Sequence, residues 1–316
     1  MLRRWIILKE KDRLSQMTKE IKAECKHCGE VMLLKLHWEK AYHFFSCKSC
    51  GRQNEIEIKH WEIKKTKIRK MKALEKYRQL DPATSTLPIL VFDIETVRSH
   101  EVLPTAGEVF EAWKYKRRKE NEVDYEVLSL SFNDSAPLYA AFTKVVAASF
   151  AYYKAGKVLL KSFSGDDERE LLIDIAKFLD DKKVKKQFIL CGHSIKNYDM
   201  PILCKRYLAN SLPVPEIIDN SGMKPWDIAA IDMMELLKMS GFYNESLTEA
   251  CLLLGVKSSK SENVDGSKVS DIFYGAEKDE VNLKTISEYC NDDTFATLNC
   301  LLRVLGWDVV ENYDIK

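Results

Sequence analysis

Two five-residue segments, Cys25-Lys-His-Cys28-Gly29 and Cys47-Lys-Ser-Cys50-Gly51, repeat one pattern with 18 residues between Cys28 and Cys47. Two residues between cysteines let both thiolates of a tight turn face one ion, and the following glycine relieves the backbone where it bends sharply. Two such turns make a closed, tetrahedral four-sulfur site, which is the structural rather than the catalytic form of zinc binding. A redox dithiol or unrelated thiols are the competing readings, and duplication of the whole pattern favours one Zn²⁺ held by Cys25, Cys28, Cys47 and Cys50. His27, His37 and His43 lie nearby in sequence, but four thiolates already complete the shell. Residues 24–58 are too few to bury a sufficient core alone, so metal binding there is also folding energy.

The remaining cysteines, Cys191, Cys204, Cys251, Cys290 and Cys300, read as reduced thiols. An odd total of 9 argues against a secreted disulfide scaffold. The start, Met-Leu-Arg-Arg, is followed by a short apolar run, Trp5 to Leu8, too short for a signal-peptide core, and a cytoplasmic location is expected. No run of 18 apolar residues exists, so no membrane partner is expected. The net charge of +1 conceals a division: residues 1–80 hold 21 Lys/Arg against 10 Asp/Glu, leaving 28 against 38 for residues 81–316. A basic module joined to an acidic one suggests a polyanionic partner, although basic helices are also simply solvated surfaces.

Four segments follow: an N-terminal arm (1–23), the cysteine module (24–58), a basic helix and linker (59–86), and an α/β domain (87–316). In the module, Val31–Leu36 and Glu55–Ile58 read as short strands. Ile68, Met71 and Leu74 recur at helical spacing in 59–80, and Asp81-Pro-Ala-Thr-Ser-Thr-Leu-Pro88 reads as a linker. Further on, Ile89–Asp93 and Phe188–Cys191 have strand character, and Val145–Tyr153 with Val158–Phe163 form a hairpin across Lys-Ala-Gly-Lys. Helices are expected at Gly107–Glu120 (exposed), Asp167–Leu179 (amphipathic), Met200–Leu208, Asp227–Met239, Ser246–Leu254 and Leu283–Leu302. The order implies a sheet covered by helices.

The chemistry lies in three separated segments. In Val-Phe-Asp93-Ile-Glu95-Thr96, residues i and i+2 of a strand share a face, so two carboxylates converge at its end and repel unless a cation intervenes. In Cys191-Gly-His-Ser-Ile-Lys-Asn-Tyr-Asp199-Met-Pro201, Asp199 sits at a helix start with Pro201 in the first turn; alone it reads as a cap. In Ile286-Ser-Glu-Tyr289-Cys-Asn-Asp-Asp293, Tyr289 and Asp293 are i and i+4 neighbours, and Asp292 is not separated from them by spacing alone. Asp227 and Asp232 read as caps or packing features and His193 as structural.

Together and in this order, the segments resemble the three exonuclease motifs of the DEDDy group, most closely the proofreading exonuclease of family-B DNA polymerases. The likeness spans about residues 87–305. It includes Lys224-Pro-Trp-Asp…Asp232-Met-Met-Glu-Leu, Ser246-Leu-Thr…Leu-Leu-Gly-Val256 and Asp265-Gly-Ser-Lys-Val269, which look like a stand-alone bacterial and phage type. The resemblance implies a ribonuclease-H-like mixed sheet flanked by helices, and the cysteine module resembles a zinc ribbon. Asp93, Glu95, Asp199 and Asp293 would hold two Mg²⁺ or Mn²⁺, hard cations suited to oxygen ligands, and Tyr289 would orient the attacking water. Thr96 would meet the terminal nucleotide through its backbone. One position departs: Ser194 stands where the second motif commonly has Asn.

The activity so implied is 3′→5′ exonuclease hydrolysis with release of nucleoside 5′-monophosphates, with DNA favoured and a single-stranded 3′ end as substrate. The chain ends soon after the third motif, so no polymerase palm is expected with it. Lys64, Lys65, Lys67, Arg69, Lys70 and Lys72 are expected to hold the substrate backbone, whereas Trp38 and Trp61 read as packing rather than stacking residues. The ribbon is expected to meet nucleic acid or a replication or repair protein. An RNA-trimming exonuclease is the nearest alternative, since nothing here reads a 2′-hydroxyl. An adaptor with a non-catalytic nuclease-like domain is the other.

Overall fold

The structure, a computed structural model, describes residues 18–25, 28–37, 42–50, 53–57, 74–118, 124–225, 227–239, 241–259, 266–275 and 279–316. The chain divides into two compact units, Met1–Lys72 and Ala73–Lys316. The basic residues 64, 65, 67, 69, 70 and 72, and Trp38, Trp61 and His27, lie outside the described residues.

The first unit contains two hairpins. β1 (Thr18–Glu24) pairs antiparallel with β2 (Val31–His37), and β3 (Tyr42–Ser46) with β4 (Gln53–Glu57). Residues 18–23, read from sequence as part of an arm, are therefore strand. Each Cys-x-x-Cys segment occupies the turn of one hairpin. At the first turn, the Cys25 N–H donates to Glu30 O and the Gly29 N–H to Cys25 O, with Gly29 at φ 79°, a left-handed conformation that glycine adopts without steric cost.

The second unit is built on one six-stranded mixed sheet, order β10-β7-β6-β5-β8-β9. Its strands are β5 (Ile89–Arg98), β6 (Thr143–Lys154), β7 (Lys157–Ser164), β8 (Ile189–Gly192), β9 (Ala230–Asp232) and β10 (Tyr313–Ile315). β6 runs antiparallel to both neighbours; β8 is parallel to β5, β9 to β8, and β10 to β7. Helices α1 (residues 74–78), α2 (Glu108–Arg117), α3 (Tyr125–Ser135), α4 (Glu168–Leu179), α5 (Lys182–Gln187), α6 (Asp199–Ala209), α7 (Met233–Leu237), α8 (Leu247–Leu254), α9 (Val269–Phe273) and α10 (Asp279–Leu305) flank it. This architecture is consistent with the ribonuclease-H-like expectation.

Alternation along β5 divides the core. Leu90, Phe92 and Ile94 pack with Leu171, Leu172 and Ile175 of α4 and Leu203 and Tyr207 of α6. Ile89 and Val91 pack on the opposite face with Ala296, Leu301 and Leu302 of α10 and with Leu74 and Tyr77, so α1 belongs to this core. Both faces are covered, which explains why β5 reads as a continuous apolar run.

Three expectations need correction. The stretch 227–239 is not one helix: Ala230–Asp232 adds a strand, and only Met233–Leu237 is helical. Tertiary pairing with β8 overrides the helical pattern, and Asp227 lies in a preceding turn. The helix at α2 is not wholly exposed, because Trp113 is fully buried among Leu103, Leu128, Phe132 and Phe142, with its indole N–H donating to Leu128 O. The β6–β7 hairpin turns on Ala155 and Gly156 alone, both at positive φ, as two-residue hairpin turns require.

Candidate active site

Asp93 and Glu95 point to the same side of β5 as Ile89 and Val91, the side covered by α10. The ladder with β6 shifts register between Glu95 and Thr96, next to the second carboxylate, and resumes with Thr96 opposite Val145. β5 thus delivers two acids at the point where its pairing becomes irregular.

Asp199 arrives from β8. The chain leaves that strand through Gly192, where a Cβ would come within 2.8 Å of Phe92 O, so only glycine fits. Ser194 follows at φ 63°, a costly conformation for serine that the loop must enforce. Asp232 enforces it: its carboxylate accepts from the N–H groups of Ser194 and Lys196 while also capping α7 through Met234 and Glu235. The cap expected at Asp232 is present, and it also clamps the loop ahead of Asp199. Asp199 opens α6, buried, and its Oδ1 accepts from the Ile94 N–H at 3.2 Å, tying the second segment to the first. His193 is structural, with Nε2 at 2.9 Å from Glu245 O.

The third segment lies on α10. Tyr289 is buried and hydrogen-bonded to Asp293, one helical turn on, whereas Asp292 points to Tyr313, whose hydroxyl donates to it at 3.1 Å. The i, i+4 relation thus selects Asp293 for the cluster.

The four acids sense one another. Burial, then the charges of Asp199, Glu95 and Asp293, raise Asp93 well above the usual carboxylate range. Burial, Asp293 and Asp199 do the same to Glu95. Asp199 is pushed up to about 7, mainly by burial, with backbone N–H groups pulling the other way. Tyr289 is raised by burial and by the acids around it, so its hydroxyl stays protonated and is a donor. Such a group of carboxylates ionises together only if cations offset the repulsion.

Sequence reasoning counted Cys290 only as a reduced thiol. The structure puts its buried Sγ 3.5 Å from Asp93 O and 3.7 Å from Asp93 Oδ2, within a common ligand sphere with Asp93 and Glu95. Burial and four acidic neighbours raise the thiol far above its usual pKa, so it stays protonated and donates to Asp93 instead of competing as a soft ligand. Tyr198 was also missed. Its hydroxyl lies 2.7 Å from Thr96 Oγ1, and both reach the Pro137 carbonyl, at 3.0 and 3.2 Å. The Thr96 side chain is therefore occupied in bracing the end of β5. The only sequence signal for Cys290 and Tyr198 was their adjacency to Tyr289 and Asp199.

In the first unit, one Sγ from each of the four cysteines lies within 4.8 Å of all the others. Cys25 and Cys50 are 3.7 Å apart and Cys28 and Cys47 3.6 Å. These spacings are far beyond a disulfide and close to the ~3.8 Å edge of a tetrahedron with Zn–S near 2.3 Å. The cluster fits a four-thiolate zinc.

A mixed six-stranded sheet, flanked by helices and carrying beside its first strand an acidic cluster in which Glu95 and Asp199 are buried and Asp93 and Asp293 half-buried, defines a nuclease-like α/β domain. Residues 136–308, just over half of the chain, match the family described as predicted 3′–5′ exonucleases related to the exonuclease domain of PolB, and the chain belongs to that family. The match includes Asp199, Tyr289 and Asp293 and begins after Asp93 and Glu95. No curated protein matches the chain. Among solved structures, the family B DNA polymerase from the hyperthermophilic archaeon Pyrobaculum calidifontis is similar at 18% identity and a TM-score of 0.43, over 69% of this chain and 24% of that one. The chain therefore spans about a quarter of the polymerase's length.

Proposed function

We propose that the protein is a metal-dependent 3′→5′ exonuclease that trims DNA from single-stranded 3′ ends and releases nucleoside 5′-monophosphates. The observation that carries this reading is the convergence of Asp93, Glu95 and Asp199 with Asp293 from three distant segments, where burial and the neighbouring acids, Asp293 among them, raise the carboxyls of the first three. Their hard oxygen donors suit two Mg²⁺ or Mn²⁺. Bound there, such ions would activate water and offset charge on the attacking and leaving oxygens.

The chain's own groups perform the rest. Tyr289, kept protonated, offers a donor to the attacking water or a phosphate oxygen. Cys290 orients Asp93, and the Ile94 N–H orients Asp199. The Thr96 backbone, held by the Tyr198 brace, would meet the terminal nucleotide. Zn²⁺ on Cys25, Cys28, Cys47 and Cys50 would hold the first unit together, and Lys64, Lys65, Lys67, Arg69, Lys70 and Lys72 would bind the substrate backbone or bring in a replication or repair protein.

The test is digestion of 5′-labelled single-stranded DNA, duplex DNA and RNA with Mg²⁺ or Mn²⁺, with EDTA as control. The expected result is a ladder shortening from the 3′ end of single-stranded DNA, absent in EDTA and lost in Asp93→Ala with an unchanged circular-dichroism spectrum. Equal cleavage by Asp93→Ala would sink the assignment.

A further inference from the structure

A groove of about 1140 Å³ opens on the second unit, on the side of the sheet away from the acid cluster. Leu90 of β5 lines it, whereas Asp93 and Glu95 point to the opposite face, beside Cys290 of α10. Its lining includes the half-buried rings of Tyr152, Phe163, Phe178 and Phe188. Exposed Lys154, Lys161, Lys177 and Lys183 surround these rings. The Lys161 ammonium lies 5.3 Å from the Phe163 ring, and Lys316 brings another to 6.0 Å from Tyr152.

Two acids also line the groove, and both are already engaged. Asp174 pairs with Lys177 at 2.8 Å, and Asp181 caps α5 by accepting the Lys183 N–H at 2.7 Å. The lysines therefore leave an excess of positive charge over a partly apolar, aromatic floor.

We propose that this groove is a second binding surface for single-stranded nucleic acid, holding a part of the strand away from the reacting end. The class of ligand rests on the exonuclease reading above. Within that class, the geometry selects a single strand: rings that accept unpaired bases lie beside lysines that meet a phosphate backbone. A duplex hides its base faces. An acidic peptide would satisfy the lysines and leave the rings unused.

The test uses the full chain with neither chelator nor added Mg²⁺ or Mn²⁺, so that the four-cysteine cluster keeps its metal, for fluorescence anisotropy of a labelled oligothymidylate against salt concentration, and with Mg²⁺ for a small diester, the p-nitrophenyl ester of thymidine 5′-phosphate. The triple variant Lys154→Glu, Lys161→Glu, Lys183→Glu is expected to weaken oligothymidylate binding by about tenfold or more and to lower the salt slope by about 2. Tyr152→Leu, which keeps the apolar contact but removes the ring, should weaken binding with no change in slope. Both variants should hydrolyse the small diester like the parent, with a raised KM and unchanged kcat on long strands. Unchanged affinity in the triple variant overturns the groove, as does polyglutamate binding as tightly as the oligomer. If the parent hydrolyses nothing but the lysines still govern strand binding, the groove stands and the nuclease reading falls. The reverse pattern separates them the other way.

Discussion

Asp93, Glu95 and Asp199 are held where charge is costly, and each sits above the carboxylate's unfolded value of about 4. The sign of the linkage follows directly. A folded state that binds protons more tightly than the unfolded chain is stabilised at low pH, and that stability is lost as pH rises through the folded value. For Asp199 the window runs from about 4 to about 7. In chelator, the thermal midpoint should therefore be lower at pH 8 than at pH 5, and Mg²⁺ or Mn²⁺ should raise it more at pH 8. Asp199→Asn should recover part of the loss at pH 8 in chelator, since its amide oxygen still accepts from Ile94. Equal midpoints at both pH values, with no response to metal, would contradict the account. Spacing paired Asp93 with Glu95 and Tyr289 with Asp293 or Asp292, and it was the likeness to the exonuclease motifs that joined Asp199 to them and chose Asp293. Neither pointed to Cys290, because a cysteine carries no sign of which carboxylate it will face until α10 is packed against β5.

At the level of elements, one buried acid joins three of them. Glu168, the first residue of α4, accepts from the Val145 N–H of β6, from the Nε and Nη2 N–H groups along one edge of the Arg206 guanidinium on α6, and from the Asn210 amide. Glu168 is 8% exposed and Arg206 15% by side chain. Removing the acid leaves a largely buried guanidinium without its counter-charge, so Glu168→Ala should cost about 3 kcal/mol or more in urea unfolding. A loss below ~1 kcal/mol would mean the pair is effectively solvated. The helix at 167–179 was legible from its apolar spacing, but this junction was not, since Glu168 looks like an ordinary first-turn acid. The same limit explains β9: a three-residue strand has too little pattern to compete with the helical periodicity around it, and only its pairing to β8 reveals it.

For the whole molecule, the boundary between units falls at residues 72 and 73, while Leu74 and Tyr77 are buried in the second unit's core and Arg78 donates to Val304 O. Removing residues 1–80 would therefore strip part of that core. Deletion of 1–72 is the cleaner probe: it should leave the second unit's melting unchanged and, if the basic segment holds substrate, weaken oligonucleotide binding and flatten its salt dependence. Affinity unchanged by that deletion would assign the segment to a protein partner. Cys47→Ser should open the first unit to proteolysis between residues 18 and 57 while the second resists, as chelation should, because two short hairpins alone bury too little.

What local pattern and spacing can carry was present in the sequence before any folding. Those patterns specified two cysteine turns aimed at one ion, a mixed α/β domain, and acids that share a face or a helical turn. Alternation with a period of two and neighbours at i+4 are properties of the chain before it packs. Packing alone set which side of β5 faces α10, docked Asp199 onto Ile94, let Asp232 clamp the loop before it, and brought rings and lysines from β6, β7, α4 and α5 around one groove. Those contacts join residues far apart along the chain, and their energies arise from burial and charge that exist only once the sheet is covered.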